Sequence, residues 1–247
     1  LFYIITFTSL LIGSFLNVCI YRIPRGKSIS YPPSHCPKCD TRLKPLDLIP
    51  VISYIFYRGK CRYCGEKISL QYPLIEILTA IIYILLFLKY GLTITFIKYA
   101  TLSSLLLVIS VIDYQHKIIP DKLNIFGLIT GFIFISLYNF KIGLINGTIG
   151  LLIGGGLFLL IAVLTKGAMG GGDIKLMAVI GLWMGWKYII LISLLSFVFG
   201  AIISLLLLLF KIKDRKDYIP FGPFIALATF VTILYGSEII QYYMIRY

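Results

Sequence analysis

The stretch from Asp173 to Phe210, DIKLMAVIGLWMGWKYIILISLLSFVFGAIISLLLLLF, holds only Lys175 and Lys187 as basic residues, and reading it as one helix or two decides the fold. A single helix of this length would rise about 57 Å, nearly twice the hydrocarbon thickness of a bilayer. Division at Lys187 gives a short run, Ile174 to Trp186, and a full one, Tyr188 to Phe210. The rest of the chain has the same character. Of its 247 residues 59% are apolar and 13% charged, with a mean hydropathy of +0.95, which excludes a disordered chain and a soluble enzyme with a polar surface.

Six further apolar runs can be drawn: Phe2 to Tyr21, Tyr72 to Tyr90, Phe96 to Ile112, Leu123 to Tyr138, Leu144 to Thr165, and Phe221 to Met244. The expected fold class is an all-α polytopic membrane protein of about eight transmembrane helices. Basic residues test that number, because Lys and Arg gather in cytoplasmic loops. With residues 22–71 inside, eight alternating spans put 18 of the 23 Lys and Arg on the inside, including Lys117, Lys122, Lys166, Lys175 and the Lys211 to Lys216 cluster. Deleting the short run lowers that to 16. The net charge of +13 therefore reads as loops facing an anionic leaflet, with membrane lipids as partners and no nucleic acid. No charge precedes the first run and no small-residue cleavage site follows it, so it is expected to be a retained span and not a removed signal.

Between the first two runs lie Cys36-Pro37-Lys38-Cys39 and Cys61-Arg62-Tyr63-Cys64. Two C-x-x-C knuckles supply the four thiolates of a tetrahedral structural zinc site. Gly65 after the second knuckle permits a close backbone turn, and metal binding could hold so polar a segment folded. Two disulfides are the alternative, disfavoured because the charge distribution places this segment in a reducing compartment. Cys19, inside an apolar run, reads as a packed core thiol.

Carboxylates in or beside membrane spans are costly, so each needs an account. Glu238 reads as interfacial or paired, Glu76 as a charge favoured by a helix amino terminus, and Asp121, after Pro120, as a helix cap. Asp113 follows the unbroken apolar run Leu105 to Ile112. Asp173 closes Gly167-Ala168-Met169-Gly170-Gly171-Gly172, glycines that suit an extended backbone brought close to the acid. In the eight-span arrangement Asp113 and Asp173 fall at one depth on one side. Two carboxylates held near 4 Å repel by about 4 kcal/mol at an effective dielectric near 20, so they would share a proton. An aspartic protease needs that state. Lys175 either tunes this charge or snorkels to the interface. His116 and Lys117 read as contacts to lipid phosphate, and Gly154-Gly155-Gly156 as close helix packing.

These motifs resemble the bacterial type IV prepilin peptidase family, membrane aspartic proteases of the G-x-G-D class. Gly13-Ser14-Phe15-Leu16-Asn17-Val18 with Arg22 and Pro24 is similar to its amino-terminal signature, and the paired knuckles to its zinc domain. Tyr72-Pro73-Leu74-Ile75-Glu76 is similar to its second span. Ile112-Asp113 with Ile119-Pro120-Asp121, and Gly170-Gly171-Gly172-Asp173-Ile174-Lys175-Leu176, match its two aspartate motifs.

The resemblance implies Asp113 and Asp173 as catalytic, and Cys36, Cys39, Cys61 and Cys64 as zinc ligands. It also implies cleavage of a basic leader from prepilins and pseudopilins, then methylation of the new amino terminus with S-adenosylmethionine. The expected setting is the bacterial inner membrane, with the zinc domain and the dyad toward the cytoplasm and the pilus or type II secretion assembly machinery as indirect partners. The expected division is a first transmembrane helix (1–21), a zinc-binding domain (22–71) and a protease domain of about seven helices (72–247). No G-x-G-x-x-G turn follows a strand to hold the nucleoside; the candidates for methyl transfer are Asn17, Arg22 and Glu76, which offer polar groups near the inner surface in the amino-terminal part. Two other readings are a G-x-G-D protease for another substrate without methyl transfer, and an ion-coupled transporter. Transporters often repeat their halves, whereas the knuckles and the glycine-rich acid each occur once.

Overall fold

The computed structural model describes residues 1–137, 140–167, 169–214 and 219–246, without the side chains of 243–246. Tyr138, Ala168, Arg215 and Lys216, and the side chains of Met244 and Arg246, lie outside the described residues. Among the described residues nine α-helices follow in order: α1 Phe2–Arg22, α2 Ile52–Phe56, α3 Gln71–Tyr90, α4 Ile94–His116, α5 Asp121–Leu137, α6 Phe140–Leu164, α7 Gly171–Met184, α8 Trp186–Leu209 and α9 Gly222–Arg246. Among the described residues β pairing is confined to two isolated bridges, His35 with Arg42 and Lys60 with Lys67. Eight of the helices occupy the eight apolar runs. Six of these, α1, α3, α4, α6, α8 and α9, are long and apolar enough to cross a membrane, which makes this a multi-pass membrane protein. At 17 and 14 residues, α5 and α7 rise about 25 and 21 Å, short of a full hydrocarbon core.

The chain forms two compact units, Leu1–Ala100 and Thr101–Tyr247. In the first, α1 packs against α3 at Gly13, where a Cβ would lie 2.7 Å from the Glu76 Cα. Asn17 Nδ2 donates to the Tyr72 carbonyl at 3.0 Å and ties the end of α1 to the start of α3. Tyr83 and Phe87 meet Phe96 edge to face, closing α3 on the first turns of α4. The segment between α1 and α3 carries a 3-10 turn, Pro45–Leu48, the short α2 and both cysteine knuckles.

The second unit is built around α7, nine of whose fourteen residues are buried. Its neighbours approach through small residues, as membrane helices do where lipid supplies no hydrophobic drive to associate. A Cβ on Gly127 of α5 would lie 2.7 Å from Val179 Cγ1, and Trp183 Nε1 donates to the Gly127 carbonyl at 2.8 Å. On the α6 side Gly150 meets Gly181 backbone to backbone, and Gly154 meets the Met177 carbonyl. Gly154 thus packs a helix, as expected, and helical neighbours enclose the short α7. The buried hydroxyls of Ser193, Ser196, Thr229 and Thr232 on α8 and α9 each donate to a carbonyl four residues back, so these four donors are satisfied.

Candidate active site and metal centre

Asp113 lies inside the last turn of α4, and Asp173 is the third residue of α7. Both are buried, at 3% and 5% exposure, and Asp113 is close enough for its charge to act on Asp173. The surrounding backbone supplies a donor. Gly222, first residue of α9, donates its amide to Asp113 Oδ2 at 2.8 Å. A helix start leaves such amides unpaired and carries a partial positive charge, so a carboxylate there is well matched. The Asp173 amide donates to the Gly170 carbonyl at 3.1 Å, and a Cβ on Gly170 would sit 3.1 Å from Asp173 Oδ2. The glycine run differs from the extended loop expected. Gly170 alone of the last three is extended, while Gly171 and Gly172 already belong to α7, and a Cβ on Gly172 would lie 2.9 Å from the Ile119 Cβ.

Lys175 does not turn to Asp173. Its Nζ donates to Asp121 Oδ1 at 2.8 Å, an exposed pair joining the first turns of α5 and α7. Exposed pairs contribute about 0 to 1 kcal/mol, so this contact orients more than it stabilises. Asp121 is the first helical residue of α5, with Lys175 as its partner. Glu238 is exposed and accepts from Ser237 Oγ at 2.7 Å. Sequence reasoning missed Gly222. Its signal is Pro220-Phe221-Gly222-Pro223, a helix start whose glycine amide points at no residue that sequence order can name.

The four knuckle cysteines converge. Their Sγ atoms lie within 4.8 Å of one another, with Cys36 to Cys64 at 3.9 Å, against about 3.8 Å for the edge of a tetrahedron with 2.3 Å metal–sulfur bonds. The two knuckles repeat one backbone plan. The Cys36 amide donates to the Thr41 carbonyl and the Cys61 amide to the Glu66 carbonyl. Asp40 and Gly65, each directly after a second cysteine, take left-handed φ of 57° and 75°. All five cysteines are free thiols. Hydrogen bonds from Thr41 bring Cys39 down to about 6. Cys64 receives a lowering bond from the Glu66 backbone, yet burial and the adjoining sulfurs push it up to about 12. Four thiols so close resist full ionisation unless a cation joins them, so the set can hold a metal ion.

Asn17, Arg22 and Glu76 line one cavity of about 410 Å³ in the first unit, together with the rings of Tyr54, Tyr57 and Tyr72. Much of their bonding is structural. Arg22 donates to the carbonyls of Ser28, Ile29 and Pro32, and Glu76 Oε2 accepts the Val51 amide at 2.7 Å. Asn17 Oδ1, also at the cavity, is buried with no hydrogen-bond partner, whereas the buried Asp47 Oδ1 faces Arg62 Nη1 at 3.7 Å. An oxygen like that of Asn17 is costly unless water or a ligand satisfies it, so the pocket has an acceptor to offer a bound molecule.

Comparison with known proteins covers nearly the whole chain. Residues 7–90 match the bacterial peptidase A24 N-terminal domain, and residues 100–205 match the type IV leader peptidase family. A Bacillus subtilis protein named prepilin leader peptidase/N-methyltransferase is 34% identical, covering 95% of this chain and 94% of its own. Proteins of the same name from Xanthomonas campestris and Pseudomonas aeruginosa are 35% and 33% identical, each over 95% of this chain and 91% and 90% of theirs. No solved structure matches the chain.

Proposed function

Because the chain belongs to the type IV leader peptidase family, we propose that it cleaves the leader from prepilins and pseudopilins with Asp113 and Asp173 as an aspartic dyad, then methylates the new amino terminus with S-adenosylmethionine. The observation that carries the first step is the burial of both acids, with the Gly222 amide on Asp113. A buried charge without a metal or partner is retained only for a reason, and here none of the basic side chains pairs with either acid among the described ion pairs. In such a dyad the ionised member takes a proton from water, whose oxygen attacks the scissile carbonyl carbon. The protonated member gives its proton to the carbonyl oxygen. Collapse of the tetrahedral intermediate breaks the C–N bond, and the amine leaves with a proton returned by the dyad.

All eight apolar runs cross the bacterial inner membrane in this reading, with residues 22–71 and the dyad on the cytoplasmic side. The support is the 18 of 23 Lys and Arg that this arrangement places inside. Residues 22–71 then form a zinc-holding segment, and residues 72–247 the helical protease domain. The pilus or secretion machinery enters only as the consumer of the processed subunit.

Zinc suits the four-thiolate set, because a tetrahedral sulfur site favours it over harder cations. Metal analysis of purified protein is expected to find about one zinc per chain, lost in Cys36→Ser and Cys64→Ser. Metal-free wild type carrying two disulfides would reverse the assignment.

When bound, S-adenosylmethionine supplies an electrophilic methyl group on a sulfonium cation. The cavity beside Asn17 and Glu76 suits it, since tyrosine faces attract such a cation and Asn17 Oδ1 stands ready as an acceptor. Incubation with a prepilin and isotopically labelled methyl donor, read by mass, is expected to give a leader-free, labelled product. Tyr57→Ala is expected to lower labelling about tenfold, the loss of roughly 1.4 kcal/mol of ring contact, and to leave cleavage within about twofold. A persistently unlabelled product would leave a protease alone.

A further inference from the structure

We propose that α2 is an interfacial membrane anchor, which lays Ile52, Ile55 and Phe56 into the leaflet that faces the zinc-holding segment. These side chains are 62%, 69% and 77% exposed, and they occupy positions i, i+3 and i+4, one face of the helix. Ser53 and Tyr54, on the other face, line the cavity. Leu46 in the preceding turn is 65% exposed. So large an apolar face on a segment otherwise rich in charge marks an interaction site.

Its height decides what covers it. The Val51 amide, immediately before α2, donates to Glu76 Oε2 at 2.7 Å. Glu76 is the sixth residue of α3, about 7.5 Å along a membrane-spanning helix from its first residue. The chain turns there tightly. Val51 has φ 62° and ψ −49°, and the Ile52 amide donates to the Pro50 carbonyl at 2.6 Å, the geometry of a γ-turn in which a β-branched residue is uncommon. Thus the residue from which α2 starts is anchored to the second turn of α3, and a helix held near the start of a membrane span meets the headgroup and upper acyl region.

Charge agrees with that placement. Lys44 and Arg58, on either side of the apolar residues in sequence, are exposed, which suits anionic headgroups. Asp47, the only acid from residue 44 to residue 60, is turned away and held by the Lys44 amide and the Tyr63 hydroxyl. The anchor would clamp the zinc-holding segment to the bilayer independently of the two spans that tether it.

The test is photochemical, on the full chain in vesicles of phosphatidylglycerol and phosphatidylethanolamine. A Phe56→p-benzoylphenylalanine variant keeps an aromatic ring at the site, and a metal content equal to wild type verifies that the segment is folded. Irradiation is expected to give a phospholipid adduct by mass, at least about fivefold more abundant than with the same probe at the exposed Lys38. Lipid labelling no greater than at Lys38 overturns the proposal. So does crosslinking that moves to an added prepilin, or to a second copy of the chain, in place of lipid.

Discussion

Asp113→Asn and Asp173→Asn are each expected to lower prepilin cleavage by at least about a thousandfold, with expression and zinc content unchanged. The amide isostere preserves volume and most hydrogen bonding at both buried positions. It cannot take a proton from water or pass one to a carbonyl oxygen. For Asp113 the change also sets an amide group against the Gly222 amide that now donates to Oδ2, so one of that group's rotamers would bring two N–H groups face to face. Both variants should still methylate a substrate whose leader has been removed beforehand, because the cavity assigned to the methyl donor belongs to the other unit. Wild-type cleavage by either variant would remove the dyad.

Gly222→Ala should be nearly as damaging, although it changes no charge. A Cβ at this position would lie 2.7 Å from Asp113 Oδ2 and 3.2 Å from its Cβ and Cγ. The carboxyl must then move or the start of α9 must retreat, and either breaks the 2.8 Å amide contact. Displacing a reacting group by about 1 Å can cost about a hundredfold in rate, and that is the loss expected here. Gly156→Ala on α6 is the matched control, since a Cβ there meets nothing within 4 Å and alanine favours a helix. Cleavage at the wild-type rate in Gly222→Ala would show that Asp113 does not depend on this helix start.

Much of the architecture was legible because a bilayer imposes a simple length rule. Apolar runs bounded by charge coincide with eight helices, six of them long and apolar enough to span, and C-x-x-C spacing located four thiols that do converge. The rule is weakest where protein replaces lipid. α7 is only 14 residues long and is sheltered by protein, by α5 through Gly127 and by α6 through Gly150 and Gly154, so it does not need the length of a lipid-facing helix. Polar partners were less legible still. Lys175 lies two residues from Asp173, which invited a link, yet on a helix a two-residue offset points elsewhere, and it reaches Asp121. Asn17, Arg22 and Glu76 were grouped by their polarity near one surface. They do share a cavity, but Arg22 is spent on three carbonyls and Glu76 on the Val51 amide. Gly222 was invisible because its role is a backbone donor 109 residues beyond its acceptor.

The central claim is that two remote acids act as one catalytic group, and a double-mutant cycle on cleavage rate tests it most directly. Wild type, Asp113→Asn, Asp173→Asn and the double variant are assayed on one prepilin in the same vesicles. Residues that act as a unit are non-additive, so the double variant should be no slower than either single one. Losses that multiply, or a single variant at full speed, would contradict the account.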